Sequence, residues 1–343
     1  MKYKLLSVYS GTNTDESSKT NIGDYVQALA SLQFLPQLDG FVDRETLNTY
    51  NGEPCKVIMN GWFMHDCNNW PPSSSINPIF ISFHLNVTAY KILEKKENIE
   101  YFQKYAPIGC RDTETVAILK RYGIDAFFSG CITLTLGNTY KNLSKDSIDY
   151  VVDPFIPVSR NPLFLAKTVI FTLCNYSSVC KVARKIKRDG YSFIRKILVS
   201  AIFLRLYSEV VSRELLVNAE YITQESVEYR KISDDYQRLK QAEELVKMYS
   251  SARLVITSRI HCALPCLGLD TPVLFTADSM SSKISNCRYG GLIALFNVLE
   301  CSKERVKLAF QFNGKISEDN LPVNKDDWKK CKITIMDYLA KAL

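Results

Sequence analysis

The chain has 343 residues, 46% hydrophobic and 23% charged, a balance that excludes a disordered protein and leaves room for two domains. Its formal net charge of +7 is concentrated in one place: residues 181–205 hold eight lysines and arginines against Asp189 alone, so the remainder is formally neutral. The 11 cysteines show no framework spacing, which excludes a disulfide-stapled scaffold and fits reduced thiols in a cytoplasm.

The opening MKYKLLSVYSG is too short an apolar run for a signal peptide and predicts a strand over Leu5–Tyr9. A polar loop, Gly11–Thr20, follows. Asn21 then caps a helix in which Ile22, Val26, Leu29 and Ala30 recur at helical spacing, with Asp24 in the first turn where the helix dipole favours it. Further strands are predicted over Val57–Asn60, ended by a Gly61-Trp62 turn, over Ile79–Phe83 with His84 just past its end, and over Ile108–Cys110. Asp112 caps a helix carrying Val116 and Leu119 that stops at Gly123. Ile124–Phe128 resumes strand, and after a Ser129-Gly130 turn Cys131–Leu136 reads as another. Strands alternating with helices predict an α/β fold with a parallel sheet covered on both faces.

The polar segment Gly137–Ser147 marks a boundary between a unit over 1–145 and a second over 146–343. In the second unit Tyr150–Val152, Val169–Leu173 and Tyr221–Thr223 read as strands. Tyr236–Tyr249 reads as a helix with Leu239, Ala242 and Val246 on one face, and Trp328–Leu343 as a terminal helix. Two such units imply a cleft between them. The apolar run Ile197–Leu204 is far too short to span a bilayer. The basic segment 181–205 runs directly into it. Such a segment either lies on an anionic membrane surface or is a solvated helix beside the core. No nucleic-acid module is visible.

The stretch with the most chemistry is Leu254–Phe275, LVITSRIHCALPCLGLDTPVLF. A buried-strand run, Leu254–Thr257, leads through Ser258 as N-cap into a helix closed by Gly268, and Pro272–Phe275 resumes strand. Arg259 and His261 thus fall at a helix amino terminus, at the carboxyl end of a strand, where α/β sheets bind anionic ligands. Trp62, His65 and Trp70 lie in a polar segment where an aromatic ring stacks on a sugar or simply packs the loop. Lys283 and Arg288 follow the last of these strands. No metal-ligand spacing, phosphate-binding GxxxxGK[ST] loop or GxSxG turn is present.

Four blocks in order, Asn21-Ile-Gly-Asp24, Gly109-Cys-Arg-Asp112, Ser129-Gly-Cys131 before Leu134-Thr-Leu136, and Thr257-Ser-Arg-Ile-His261, resemble the polysaccharide pyruvyl transferase family over roughly residues 3–280. The resemblance implies two Rossmann-like domains facing across a cleft, as in GT-B glycosyltransferases. It implies transfer of a pyruvyl group from phosphoenolpyruvate, a co-substrate, to two hydroxyls of a sugar in a cell-surface or capsular polysaccharide intermediate, free or lipid-linked. A cyclic ketal forms and phosphate leaves; no further cofactor or metal is called for.

The residues suit that chemistry. Arginine matches a phosphate or carboxylate bidentately, and histidine suits protonation of a methylene carbon. His261 is the expected general acid, with Arg259 beside it. Arg259, Arg111, His261 and Ser258 form the expected donor side. Asn21, Gly23, Asp24, Trp62 and His84 form the expected acceptor side. Arg111 equally suits a structural pair with Asp112 or Glu114, and Asn21 and Asp24 equally suit capping. A nucleotide-sugar glycosyltransferase and a non-catalytic glycan-assembly protein remain alternatives on the same fold. The expected location is the cytoplasm, at the inner face of the membrane if the acceptor is lipid-linked.

Overall fold

The computed structural model describes residues 1–8, 20–278 and 289–343; Tyr9 at the end of the first predicted strand, loop residues 11–19, Lys283 and Arg288 lie outside them. The first part of the chain runs β1 (Lys2–Ser7), β2 (Thr20–Asn21), α1 (Gly23–Leu32), β3 (Phe41–Asp43), β4 (Cys55–Phe63), β5 (Ile76–Leu85), α2 (Lys96–Lys104), β6 (Ile108–Cys110), α3 (Thr113–Arg121), β7 (Ala126–Phe128) and a short α4 (Gly137–Tyr140). The second part runs β8 (Asp149–Val152), α5 (Pro162–Cys174), α6 (Tyr176–Lys185), α7 (Phe193–Tyr207), α8 (Arg213–Asn218), β9 (Glu220–Ile222), β10 (Glu225–Ser226) and α9 (Val227–Lys231). It continues with α10 (Asp235–Ser251), β11 (Leu254–Thr257), α11 (Ile260–Gly268), β12 (Val273–Asp278), β13 (Asn297–Cys301), β14 (Val306–Leu308) and α12 (Trp328–Ala342).

Among the described residues twelve of these strands form two six-stranded sheets, ordered β3-β1-β4-β5-β6-β7 and β14-β13-β12-β11-β8-β9, and β2 pairs with β10. Every pairing in the first is parallel, and in the second only the edge pair β13–β14 is antiparallel. Central strands covered on both faces need continuous apolar runs, and Leu254–Thr257 is buried at all four positions. The strand order reverses direction between β1 and β4 in the first sheet and between β8 and β11 in the second. Ligands of parallel sheets bind outside the carboxyl ends of strands at such switch points.

Three apolar clusters hold the chain together. One lies behind the first sheet around Phe63, Trp70, Phe80, Phe83 and Phe102. Another lies under the second sheet with α7 and α8. The third joins the two sheets, running from Ile58 and Ile81 through α1, α10, α11 and α12 to Val255 and Phe275. The terminal helix α12 crosses back to the first unit, where Tyr338 donates to Pro107 O at 3.0 Å and its ring lies tilted against Phe127. A polar contact spans the same seam: the Tyr25 hydroxyl of α1 donates to Asp235 of α10, beside Arg238. Burial, then the Asp235 carboxylate, pushes the Tyr25 pKa up to about 12.

Several local expectations are corrected. Val169–Leu173 is helix, not strand: Asn161 caps it by accepting from Leu163 N at 3.0 Å, and Pro162 sits at the first turn, where its missing N–H costs nothing. Cys131–Leu136 is not a strand; Ile132–Thr135 forms a 3₁₀ turn, apolar because it is buried between the units. Gly61-Trp62 does not end a strand; β4 continues to Phe63 through a bulge at Met59/Gly61, where Gly61 takes φ +85°. β5 extends to Leu85, so His84 lies inside it. Trp70 is not a sugar platform, since it is buried and stacks on Phe102 at 4.9 Å.

Candidate active site

Three strand ends of the first sheet and one helix of the second unit meet at a cavity of about 370 Å³. Trp62 comes from the end of β4, His84 from β5, Arg111 from just after β6, and His261 from α11; Asn21, Asp24, Arg44, His65 and Asn86 complete the wall.

α11 reaches this position by an unusual helix start. Ser258 does not cap it. The Ser258 hydroxyl donates instead to Asp153 O at 2.5 Å, and Arg259 takes the N-cap position, its amide donating to Thr257 Oγ1 at 2.9 Å. Pro265 lies four residues after His261 and has no N–H to give its carbonyl. Gln224 Nε2 supplies that donor at 3.1 Å, so the backbone at His261 is tied to the β9–β10 connection.

The His261 ring is buried between opposite charges. Asp24 Oδ1 is 3.6 Å from Nδ1 and Gln27 Nε2 is 3.4 Å from it, while Arg111 NH1 is 3.5 Å from Nε2. The Asp24 distance exceeds a hydrogen bond, so that contact is electrostatic. Arg111, 1% exposed, is anchored by its amide donating to Phe83 O at 2.8 Å. Gly23 makes the approach of α1 possible: a Cβ there would stand 3.1 Å from the His261 Cβ and 3.0 Å from Asn21 Oδ1. Asn21 does its capping from outside the helix, accepting from Gly23 N at 3.1 Å, while Ile22 holds the N-cap position with its amide on Gln224 O. β2 and β10 pair antiparallel across the two units, Asn21 opposite Glu225, and strap this entrance.

His84 is half of a buried dyad. Its Nδ1 donates to Asp112 Oδ2 at 2.5 Å, and Asp112 also caps α3 by accepting from Thr115 N at 2.8 Å. A carboxylate on Nδ1 fixes the tautomer and directs the chemistry to Nε2. Arg44, itself paired with Glu45 at 3.0 Å, stacks over Trp62 at 5.0 Å, and His65 lies 4.4 Å from the same ring.

Arg259 and Ser258 lie on an adjoining cavity of about 460 Å³, at the second sheet's switch point between β8 and β11, with Lys187, Arg188, Glu225 and Tyr289. Arg259 Nε pairs with Asp153 at 3.0 Å and its NH2 with Glu225 at 2.6 Å. Burial alone would lower its pKa; the two carboxylates outweigh that and the net shift is upward. The structure thus gathers Asn21, Asp24, Trp62, His84, Arg111 and His261 at one cavity, sets Gly23 behind the imidazole, and places Ser258 and Arg259 on the other side of the α11 amino terminus.

Sequence reasoning missed the dyad role of Asp112, and Arg44, Gln27 and Gln224. Asp112 was legible as a cap and as a structural partner for Arg111, not as a partner of His84. Its partner lies 28 residues earlier and becomes a neighbour through the Phe83–Cys110 strand register. Asp112→Asn keeps a capping oxygen but removes the charge behind His84. A reaction run at this cavity should then slow at least about tenfold with little change in melting temperature; an unchanged rate would remove the dyad from the reaction.

Fold and site together define an α/β protein whose cationic, histidine-bearing cavity suits a small anionic substrate. The sequence model of the polysaccharide pyruvyl transferase family matches residues 21–279, and the chain belongs to that family. It is accordingly a transferase of the kind that moves a pyruvyl group to polysaccharide. Comparison with curated proteins and with solved structures gives no significant match.

Proposed function

We propose that the chain transfers the pyruvyl group of phosphoenolpyruvate to two hydroxyls of one sugar, with release of phosphate. The observation that carries this reading is the Arg111 guanidinium 3.5 Å from His261 Nε2 in a cavity also lined by His84, which Asp112 backs. A buried guanidinium holds a phosphate or carboxylate bidentately. A proton from His261 goes to the methylene carbon, and a sugar hydroxyl bonds to the adjacent carbon as its own proton passes to His84. The second hydroxyl bonds to that carbon as its bond to the phosphate oxygen breaks, closing the ketal. Phosphate departs with the remaining proton. An anion at Arg111 also offsets the guanidinium charge that opposes an imidazolium at His261.

In this reading Trp62, Asn21 and Asp24 hold the acceptor, Gly23 allows the close approach, and Ser258 and Arg259 complete the donor side from the adjoining cavity. The acceptor is a surface-polysaccharide sugar, and a lipid-linked one sets the enzyme in the cytoplasm at the inner face of a membrane. Arg259→Lys keeps the charge and loses the fork that engages two carboxylates. It is expected to raise KM for phosphoenolpyruvate about tenfold or more, read from phosphate release; an unchanged KM would take Arg259 off the donor side.

The cationic cavity at the second switch point favours one alternative, a glycosyltransferase holding a nucleoside diphosphate there. Thermal-shift titration separates the two, because a ligand stabilises the state it binds. Stabilisation by phosphoenolpyruvate supports transfer of pyruvate. Stabilisation by a nucleoside diphosphate without any by phosphoenolpyruvate would overturn it.

A further inference from the structure

We propose that α5 and the amino-terminal half of α7 form a docking face for an anionic lipid bilayer. α5 has thirteen residues, and only Phe164 and Thr168 are buried. Its one charged residue is Lys167. Leu163, Val169, Ile170 and Leu173 face water, Leu173 with 73% of its surface exposed. On α7, Ile194 is 79% exposed and Leu198 is exposed too. The two helices touch, Arg205 of α7 lying 4.1 Å over the Phe164 ring. Exposed aliphatic side chains gathered on two packed helices mark a face that something covers.

The charge says what covers it. Residues 154–208 hold ten lysines and arginines against one acid, Asp189. That carboxylate already accepts from Ser226 Oγ and Val227 N, at 3.2 and 3.0 Å. Lys181, Arg184 and Arg195 are exposed. Arg188 and Arg195 both stack on Tyr191 and so crowd the start of α7 with positive charge. A second copy packed face to face would set this rim against itself. An anionic leaflet complements both its apolar centre and its basic rim.

The chain lies on the bilayer rather than crossing it. Among the described residues no single helix is long and apolar enough to span, and α5 and α6 pass only as a pair bent by 97°. α6 buries Val179 and Val182 in the core beneath the second sheet, which fixes the bend. The segment 181–205, read from sequence as one basic stretch beside an apolar run, thus supplies much of the rim, while its Ile202-Phe203-Leu204 are core. Most of the apolar centre comes from α5. Lys187 and Arg188 belong both to this basic segment and to the lining of the Arg259 cavity.

Docking is independent of pyruvyl transfer, and its test needs no turnover. The full chain is sedimented with phosphatidylcholine vesicles containing a minor share of phosphatidylglycerol, and with phosphatidylcholine alone. Binding should favour the anionic vesicles and weaken as salt is raised. The pair Ile170→Glu with Leu173→Glu should lower apparent affinity at least about tenfold, since buried aliphatic side chains each carry binding on that order. Its melting temperature should not move, because both side chains are exposed. Lys181→Glu with Arg184→Glu, which touches no apolar contact, should abolish the preference for anionic lipid. Equal recovery on both vesicle types, or unaltered binding by the first pair, would overturn the proposal. So would a vesicle-free dimer that the first pair dissolves.

Discussion

His261→Gln should abolish pyruvyl transfer, by about 10²- to 10⁴-fold, the usual contribution of a positioned acid, while leaving the chain folded and able to bind phosphoenolpyruvate. Glutamine fills similar space and keeps a hydrogen-bonding end, but it has no titratable proton. The contact that anchors this residue is made by its backbone, the carbonyl that Gln224 satisfies in place of Pro265. Helix α11 should therefore keep its course. The Arg111 cation also remains, held by its amide on Phe83 O. Thermal stabilisation by phosphoenolpyruvate should persist in the variant, with phosphate release in the presence of acceptor lost. A variant that keeps transfer within about tenfold would assign the proton to another group.

The second large effect is on stability. Gly268 closes α11, and a Cβ there would stand 2.5 Å from Leu134 O; a Cβ on Gly137 would stand 1.9 Å from Gly268 O. Both obstacles are backbone, so no side chain can swing aside. The 3₁₀ turn Ile132–Thr135 of the first unit and the end of α11 in the second therefore touch through their main chains. Gly268→Ala or Gly137→Ala should cost about 3 kcal/mol or more by overpacking, a fall in melting temperature of roughly 4 °C or more for a chain of this size. Because the two glycines share one contact, the double substitution should cost less than the sum of the singles. Gly190→Ala, with nothing within 4 Å of the added carbon, is the control, though its φ of +74° adds a modest local strain. An unchanged melting temperature for Gly268→Ala would show that the units do not meet there.

Much of this was legible in the sequence. The strand–helix–strand at 254–275, the amphipathic α10 and the terminal α12 follow from apolar runs, helical period and the closing Gly268, and three of the four motifs that carry the family resemblance supply residues of the cavity. The failures share a cause. Short apolar runs carry no period, so Val169–Leu173 and Cys131–Leu136 looked like strands. The Asn161-Pro162 start signal would have corrected the first; nothing local corrects the second, whose apolarity comes from burial between units. Ser258 looked like a cap because serine before a helix usually is one, yet Asp153 O from the neighbouring strand end claims its hydroxyl. Arg259 looked like a partner of His261 from their spacing. The Asp153 and Glu225 carboxylates, both more than 30 residues earlier in the chain, turn it toward the other cavity. The His84–Asp112 dyad is likewise a product of strand register, and register is not written in either segment alone.

A crystal structure of the chain with phosphoenolpyruvate bound tests the central claim most directly. The predicted result is the donor in the cavity between the units, its anionic groups within hydrogen-bond distance of the Arg111 guanidinium and its methylene carbon facing His261 Nε2. Donor bound away from Arg111 and His261, or no donor bound while a nucleoside diphosphate fills the cavity beside Arg259, would contradict it.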